Sequence, residues 1–186
     1  VGFEKISQNF SKTFTELFGG GSASLSLSDP ENILESGIDI NVKLPGKNVP
    51  SLDGLSGGEK ALIALAIYFA MNTDNRLSYG PCLENIVYLY LVSHDYQISI
   101  GRIGKLECDF IVRDKNQNYA YIQVAYTLQG EDLKATEKIK EREYRPFRDI
   151  KDGYPRYIIS LDKFRDQQEG VRHINAIDLF LGKESI

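Results

Sequence analysis

The chain has 186 residues, 22 basic and 26 acidic side chains for a net charge of −4, and 42% hydrophobic residues. This balance gives enough apolar material for a core and excludes wholesale disorder, collagen-like repeats and a long coiled coil. The longest apolar run, Ala61 to Met71, is far shorter than the roughly 20 residues of a membrane helix, and the acidic balance exerts no global pull on nucleic acid, so any DNA contact must be local.

Phe3, Ile6, Phe10, Phe14, Leu17 and Phe18 follow a helical period, with Ser7, Lys12 and Glu16 on the opposite face. Gly19-Gly20-Gly21 stops this helix. Residues 24–28 and 38–44 alternate strictly and predict two half-buried strands, the second closed by Pro45-Gly46-Lys47 and Val49-Pro50. Leu55-Ser56-Gly57-Gly58-Glu59-Lys60 leads into Ala61–Met71, a helix with almost no polar face and therefore buried. Residues 72–76 and Gly80-Pro81 form a polar break, the expected junction between two domains.

Beyond it, Leu83–Val92 reads as a second apolar helix, and residues 97–100, 107–112 and 119–126 as strands, with a turn at Gly101–Gly104. Residues 130–148 are a charged helix with a solvated face, 157–161 a short strand, 171–174 a strand, and 177–181 a last helix. Nine of the 11 tyrosines lie after Leu83, which separates the two parts in texture. The order of elements in the second part suggests an α/β domain with a mixed sheet. The start of the chain lacks the blocks of a signal peptide, and Cys82 and Cys108 have neither disulfide-framework nor metal-site spacing, so the expected setting is cytoplasmic.

Ser56-Gly57-Gly58 directly precedes a long helix. The unpaired N–H groups and partial positive charge of a helix start suit a phosphate, the glycines permit close approach, and the serine adds a hydroxyl. An ordinary serine cap with a glycine turn is the alternative. The longer stretch from Leu55 to Ala70, with Phe14-x-x-Leu17-Phe18-Gly19-Gly20-Gly21 and Pro45-Gly46-Lys47 upstream, resembles the C-terminal ATPase head of the SMC chromosome-maintenance proteins over residues 1–71. That resemblance implies that Ser56, Gly57 and Gly58 contact ATP held by the Walker A loop of another head. The chain departs from the family in two places. It has no G-x-x-x-x-G-K-[ST] loop, and no strand ending in Asp-Glu follows Met71. The nearby apolar run ends Val92-Ser93-His94-Asp95 without an Asp-Glu pair, and only its histidine after serine resembles another family feature, the switch histidine. Phosphoryl transfer needs cradle, metal and water-positioning group together.

In the second part, Glu84 on a helix, Asp109 on a strand and Gln123 on the next strand follow the order of a PD-(D/E)xK nuclease site. In such a site carboxylates hold Mg²⁺ and a lysine two residues on helps activate water. Gln123 and Ala125 stand where the second carboxylate and the lysine belong. The alternation of 123 and 125 allows both side chains to face Asp109. The alternatives are a structural Glu84 bonded near Asn85, an Asp109 paired with Lys105 or Arg113, and a His173 that is a strand-end polar residue. The flanking residues, including Gly104-Lys105-x-Glu107-x-Asp109-Phe110 and Glu141-Arg142-Glu143-Tyr144, resemble the restriction-endonuclease-like C-terminal domain found behind many prokaryotic AAA-type ATPases, over about 78–182.

The expected fold is α/β: residues 1–71 an α+β partial ABC-type ATPase head lobe with the signature motif, 72–79 a junction, and 80–186 a nuclease-like mixed-sheet domain. The expected function is a fragmentary or recombined ATPase-associated protein working as a binding module. Its cofactor is ATP bound weakly in trans, and weak Mg²⁺ ligation falls to Glu84 and Asp109. Expected partners are an ATPase head that supplies Walker A and DNA, with no membrane. Two alternatives remain: a Mg²⁺-dependent DNA nuclease, and an ATP-dependent chromosome-maintenance or DNA-repair protein completed by a Walker A partner. Neither an ATPase nor a nuclease site is complete in this chain.

Overall fold

The computed structural model describes residues 2–47, 51–71, 79–103, 106–164 and 166–186. It divides into two compact units, Val1–Ser78 and Tyr79–Ile186. The expected stop at Val49-Pro50, the polar break at 72–76, and the Gly104 and Lys105 positions lie outside the described residues.

The first unit contains α1 (Gly2–Phe18), the antiparallel pair β1 (Ser22–Leu27) and β2 (Ile38–Lys43), a 3-10 turn at Leu52–Gly54, and α2 (Gly57–Met71). Phe10 and Phe14, four residues apart on one face of α1, are fully buried against Ile63, Ala66 and Ala70 of α2 and Ala23 and Leu25 of β1. Burying two such rings contributes about 2 kcal/mol each. Phe14 stacks on Phe18 with ring centroids 4.3 Å apart. Ser7, expected on the solvated face, instead closes part of the open edge of β1. Its Oγ accepts from the Leu25 N–H at 3.0 Å and donates to the Leu25 carbonyl at 3.2 Å. The strand edge, which needs partners for its backbone groups, recruits a polar helix residue.

The second unit is a six-stranded mixed sheet with helices. Its elements are α3 (Tyr79–Ser93), β3 (Gln97–Ile103), β4 (Leu106–Arg113), β5 (Tyr119–Val124), α4 (Leu133–Arg148), β6 (Arg156–Ser160), β7 (Gln167–Gln168), β8 (Val171–Asn175) and α5 (Ala176–Phe180). The spatial order is β3-β4-β5-β6-β8-β7. β3, β4 and β5 pair antiparallel, β5, β6 and β8 parallel, and β7 antiparallel to β8. The parallel centre is apolar on both sides, with Ile122, Ile158, Ile159 and Ile174 fully buried, as a covered parallel sheet requires. Residues 101–103, expected in a turn, continue β3. β7, which no alternation announced, forms because Glu169 and Gly170 both take positive φ (53° and 76°), the geometry of a tight hairpin.

The run at 83–92 lies inside helix α3, so the segment Val92-Ser93-His94-Asp95 is a helix end and not a metal-binding strand. His94 Nδ1 lies 2.9 Å from the Tyr90 carbonyl, and the imidazole packs against the Tyr90 ring.

Candidate functional site: a capped helix start and an acidic cleft

α2 begins at Gly57, four residues earlier than the apolar run alone implies, because Ser56 caps it. Ser56 Oγ accepts from the Glu59 N–H at 3.2 Å, and Glu59 Oε2 accepts from the Ser56 N–H at 2.7 Å. This reciprocal pair is a capping box. The Lys47 ammonium donates to both Glu59 oxygens at 2.8 and 3.1 Å. Burial alone would raise the Glu59 carboxyl, but the Lys47 ammonium and the two Ser56 contacts outweigh it and hold it below the usual carboxylate value. The box uses the Ser56 and Glu59 amides. The Gly57 and Gly58 N–H groups are the remaining donors of the first turn, and the Ser56 hydroxyl keeps its own proton to give. Ser56 and Gly57 are exposed and Gly58 is buried.

In the second unit the ladder between β4 and β5 pairs Phe110 with Ile122 and goes no further toward Asp109 and Gln123. Side chains take over there. The Val124 N–H donates to Asp109 Oδ2 at 2.7 Å, and the Asp109 N–H donates to Gln123 Oε1 at 3.4 Å. Gln123 Nε2 then donates to Glu143 Oε2 at 3.2 Å, and Arg142 holds the other Glu143 oxygen at 2.7 Å. Burial pushes the Asp109 carboxyl up to about 7. The Val124 N–H opposes that rise, while the charges of Glu84 and Glu143 add to it. Glu84 is raised by burial and by Glu143.

The structure therefore brings Glu84, Asp109 and Gln123 together, as the order of motifs anticipates. Ala125 departs from that expectation. It lies past the end of β5, is 5% exposed, and packs in a cluster with Leu128, Tyr144, Phe147 and Ile158. It does not line the cleft that holds Glu84 and Asp109. Asp109 takes the Val124 amide rather than Arg113, whose guanidinium binds Gln97 and lies over the Tyr119 ring. Glu84 makes no hydrogen bond to Asn85; no described residue is its partner.

Glu143 was missed because residues 130–148 read as a solvated charged face. It is 5% exposed. A signal was present: Glu143 is one residue from Tyr144 and four from Phe147, so it falls on the apolar stripe of α4. His173 is likewise no strand-end residue. It is buried, with Nε2 2.8 Å from Ser160 Oγ and Nδ1 2.9 Å from the Phe164 carbonyl. Asp162 joins this network by accepting from Ser160, Thr127 and the Leu128 amide. Ser160 is fully buried, so the group ties loops together and offers no nucleophile to solvent. Cys82 and Cys108 are free buried thiols, both raised to about 11 by burial. Among the described residues no group of three or more His, Cys, Asp or Glu side chains is placed to hold a metal ion, and no helix is long and apolar enough to cross a membrane.

No protein-family model matches the chain. A stretch of 68 residues is 52% identical to the chromosome partition protein Smc of Halothermothrix orenii, covering 37% of this chain and 6% of that protein. The Smc protein of Mycoplasma genitalium is 50% identical over 68 residues, or 37% and 7% of the two chains. That of Bacillus subtilis is 46% identical over 69 residues, or 37% and 6%. Among solved structures, the Pyrococcus furiosus Smc head domain bound to the C-terminal domain of ScpA is 36% identical, covers 49% of this chain and 26% of that one, and superposes with a TM-score of 0.37. The chain thus spans only about 6% of the length of the curated relatives it matches, and 37% of it is homologous to Smc chromosome partition proteins.

Proposed function

We propose that residues 1–71 are the signature lobe of an Smc-type ATPase head, and that this lobe completes an ATP site whose Walker A loop and Mg²⁺ ligands lie on another chain. Ser56, Gly57 and Gly58 are the ATP-contacting residues in this reading. The observation that carries it is the helix start of α2, where Ser56 and Gly57 are exposed with the Ser56 hydroxyl proton free to donate. The homology to Smc proteins supports the same assignment. A phosphate at such a terminus meets oriented N–H donors and a favourable dipole. The second unit is a nuclease-like accessory domain without cleavage chemistry, so the chain works as a binding module associated with the prokaryotic chromosome.

The test is ATP-dependent association. The full chain is mixed with the Walker A half of an Smc head and chromatographed with and without a slowly hydrolysed ATP analogue. A complex that forms only with nucleotide and is lost in Ser56→Arg is expected. A complex indifferent to nucleotide and to that substitution, or no complex, overturns the reading.

The convergence of Glu84 and Asp109 favours a second reading, Mg²⁺-dependent DNA cleavage. Two features weigh against it. Gln123 contributes an amide where a carboxylate would bind Mg²⁺ better, and its Nε2 is already committed to Glu143. Ala125 offers no group to activate water. Plasmid nicking that requires Mg²⁺ and disappears in Asp109→Ala would establish this reading instead.

A further inference from the structure

We propose that β2 presents an open strand edge to a second copy of this chain, and that two such edges pair antiparallel about a two-fold axis through Asn41 to make a four-stranded sheet. The inference stands on the first unit alone, and neither ATP nor the second unit enters it.

The backbone shows which groups are open. Both the N–H and the carbonyl of Leu25 bind Ser7 Oγ, so they point away from β2. Ile40 lies opposite Leu25 in the register. Directly opposite residues of an antiparallel pair either exchange both hydrogen bonds or both point outward. The N–H and carbonyl of Ile40 therefore point off the free side of β2, and by alternation so do those of Ile38 and Val42. The Ser28 N–H on the Gly37 carbonyl, one pair beyond Leu27 and Ile38, fits this phase. No described residue binds these outward groups. β1 and β2 pair over six residues without a bulge, and a regular unpaired edge is a template for another strand. Ser7 of α1 occupies the far edge of the hairpin, on β1, so the edge left for a partner is that of β2.

Side chains select the occupant and the register. Asp39, Asn41 and Lys43 alternate along the exposed face of β2, and neither Asp39 nor Lys43 has an ion-pair partner among the described residues. Two copies related by a two-fold axis present the same strand to each other, so the residue on the axis meets itself. With Asn41 there, two amides meet, Asp39 of each copy lies opposite Lys43 of the other, and Ile40 lies opposite Val42. Ile40 and Val42 are the residues whose backbone groups point outward, so hydrogen bonds and charges agree on one register. An axis through Asp39 or Lys43 sets like charges against each other, which destabilises a strand pair. An axis through Ile40 or Val42 leaves Asp39 and Lys43 unmatched. Ile38, 55% exposed on the face that carries Ile40 and Val42, gains cover from the added strand. This self-complementary charge pattern favours a second copy over an unrelated peptide.

The test is sedimentation equilibrium of the 186-residue chain in nucleotide-free, low-salt buffer, at loadings from roughly 10 μM to 1 mM, where a weak contact shows. A monomer–dimer equilibrium is expected. Asp39→Lys and Lys43→Asp each turn two ion pairs into two repulsions and should weaken it at least about tenfold. The cross-strand neighbours of the two positions are Ser26 and Ser22, both exposed and neutral, so the fold bears either change. Mixed in equal amounts, the two variants should dimerise with each other, because the charges of one then oppose those of the other. A monomer at every loading, single variants that associate as the parent does, or a mixture that associates no better than its components overturns the proposal.

Discussion

Two carboxylates, Glu59 and Asp109, show how one chemical group takes opposite roles through its surroundings. Glu59 meets an ammonium and a helix start, and its carboxyl is held low. Losing the box costs a helix about 1 kcal/mol, so Ser56→Ala and Glu59→Ala should each lower stability by about that much in urea titrations. Part of the Glu59 contribution should vanish as the pH falls below about 4. Asp109 meets burial and two like charges, and its carboxyl rises to about 7. The folded chain therefore keeps a proton that an unfolded aspartate releases near pH ~4. The folded state binds more protons across that interval, so this group's contribution to stability falls as pH rises from about 4 to about 7. Asp109→Asn should flatten the decline in Tm between pH 5 and pH 8; equal slopes in variant and parent would refute the assignment.

At the scale of elements, a turn and a strand end carry constraints that composition hides. Gly21 adopts φ of +81°, and a Cβ there would lie 2.3 Å from the Lys43 carbonyl oxygen. Gly21→Ala should therefore cost more than about 2 kcal/mol, from left-handed strain and a backbone clash together. An unchanged Tm would show that β1 can enter by another path. Past the end of β5, Ala125 sits among Tyr144, Phe147 and Ile158. A lysine at that position would be an unpaired charge in an apolar cluster, a loss on the order of 3 kcal/mol or more. Ala125→Lys should lower Tm sharply, and Gln123→Glu/Ala125→Lys should gain no Mg²⁺-dependent nicking of supercoiled DNA. A stable double variant that nicks would show that the residue turns toward the cleft after all.

For the whole molecule, the decisive fact is what a phosphoryl-transfer site requires. The sequence has no G-x-x-x-x-G-K-[ST] loop to cradle phosphates, and the ATP contacts proposed for Ser56, Gly57 and Gly58 would be only one part of such a site. Purified full chain should release no phosphate from ATP above background, with or without Mg²⁺. Turnover that Ser56→Arg removes would mean that this chain holds a complete site.

Strong periodicities made most of the architecture legible in the sequence. The phenylalanine stripe of α1, the alternation of β1 and β2, and the long apolar runs within α2 and α3 made these elements legible, because burying those faces any other way leaves backbone or apolar surface exposed to the wrong medium. The Ser56 cap was legible for a similar reason, since Ser-x-x-Glu ahead of an apolar run is the pattern of a capping box. Tertiary structure decided what depends on neighbours distant in sequence. Ser7 left the solvated face because an open strand edge needed a donor and an acceptor. Glu143, on the apolar stripe of α4, finds its buried partner in Gln123, twenty residues away on β5. Ala125 went to the core because the chain leaves β5 before reaching it. The upward shift of the Asp109 carboxyl follows from burial and from Glu84 and Glu143 on two helices, a sum of distances that no local pattern encodes.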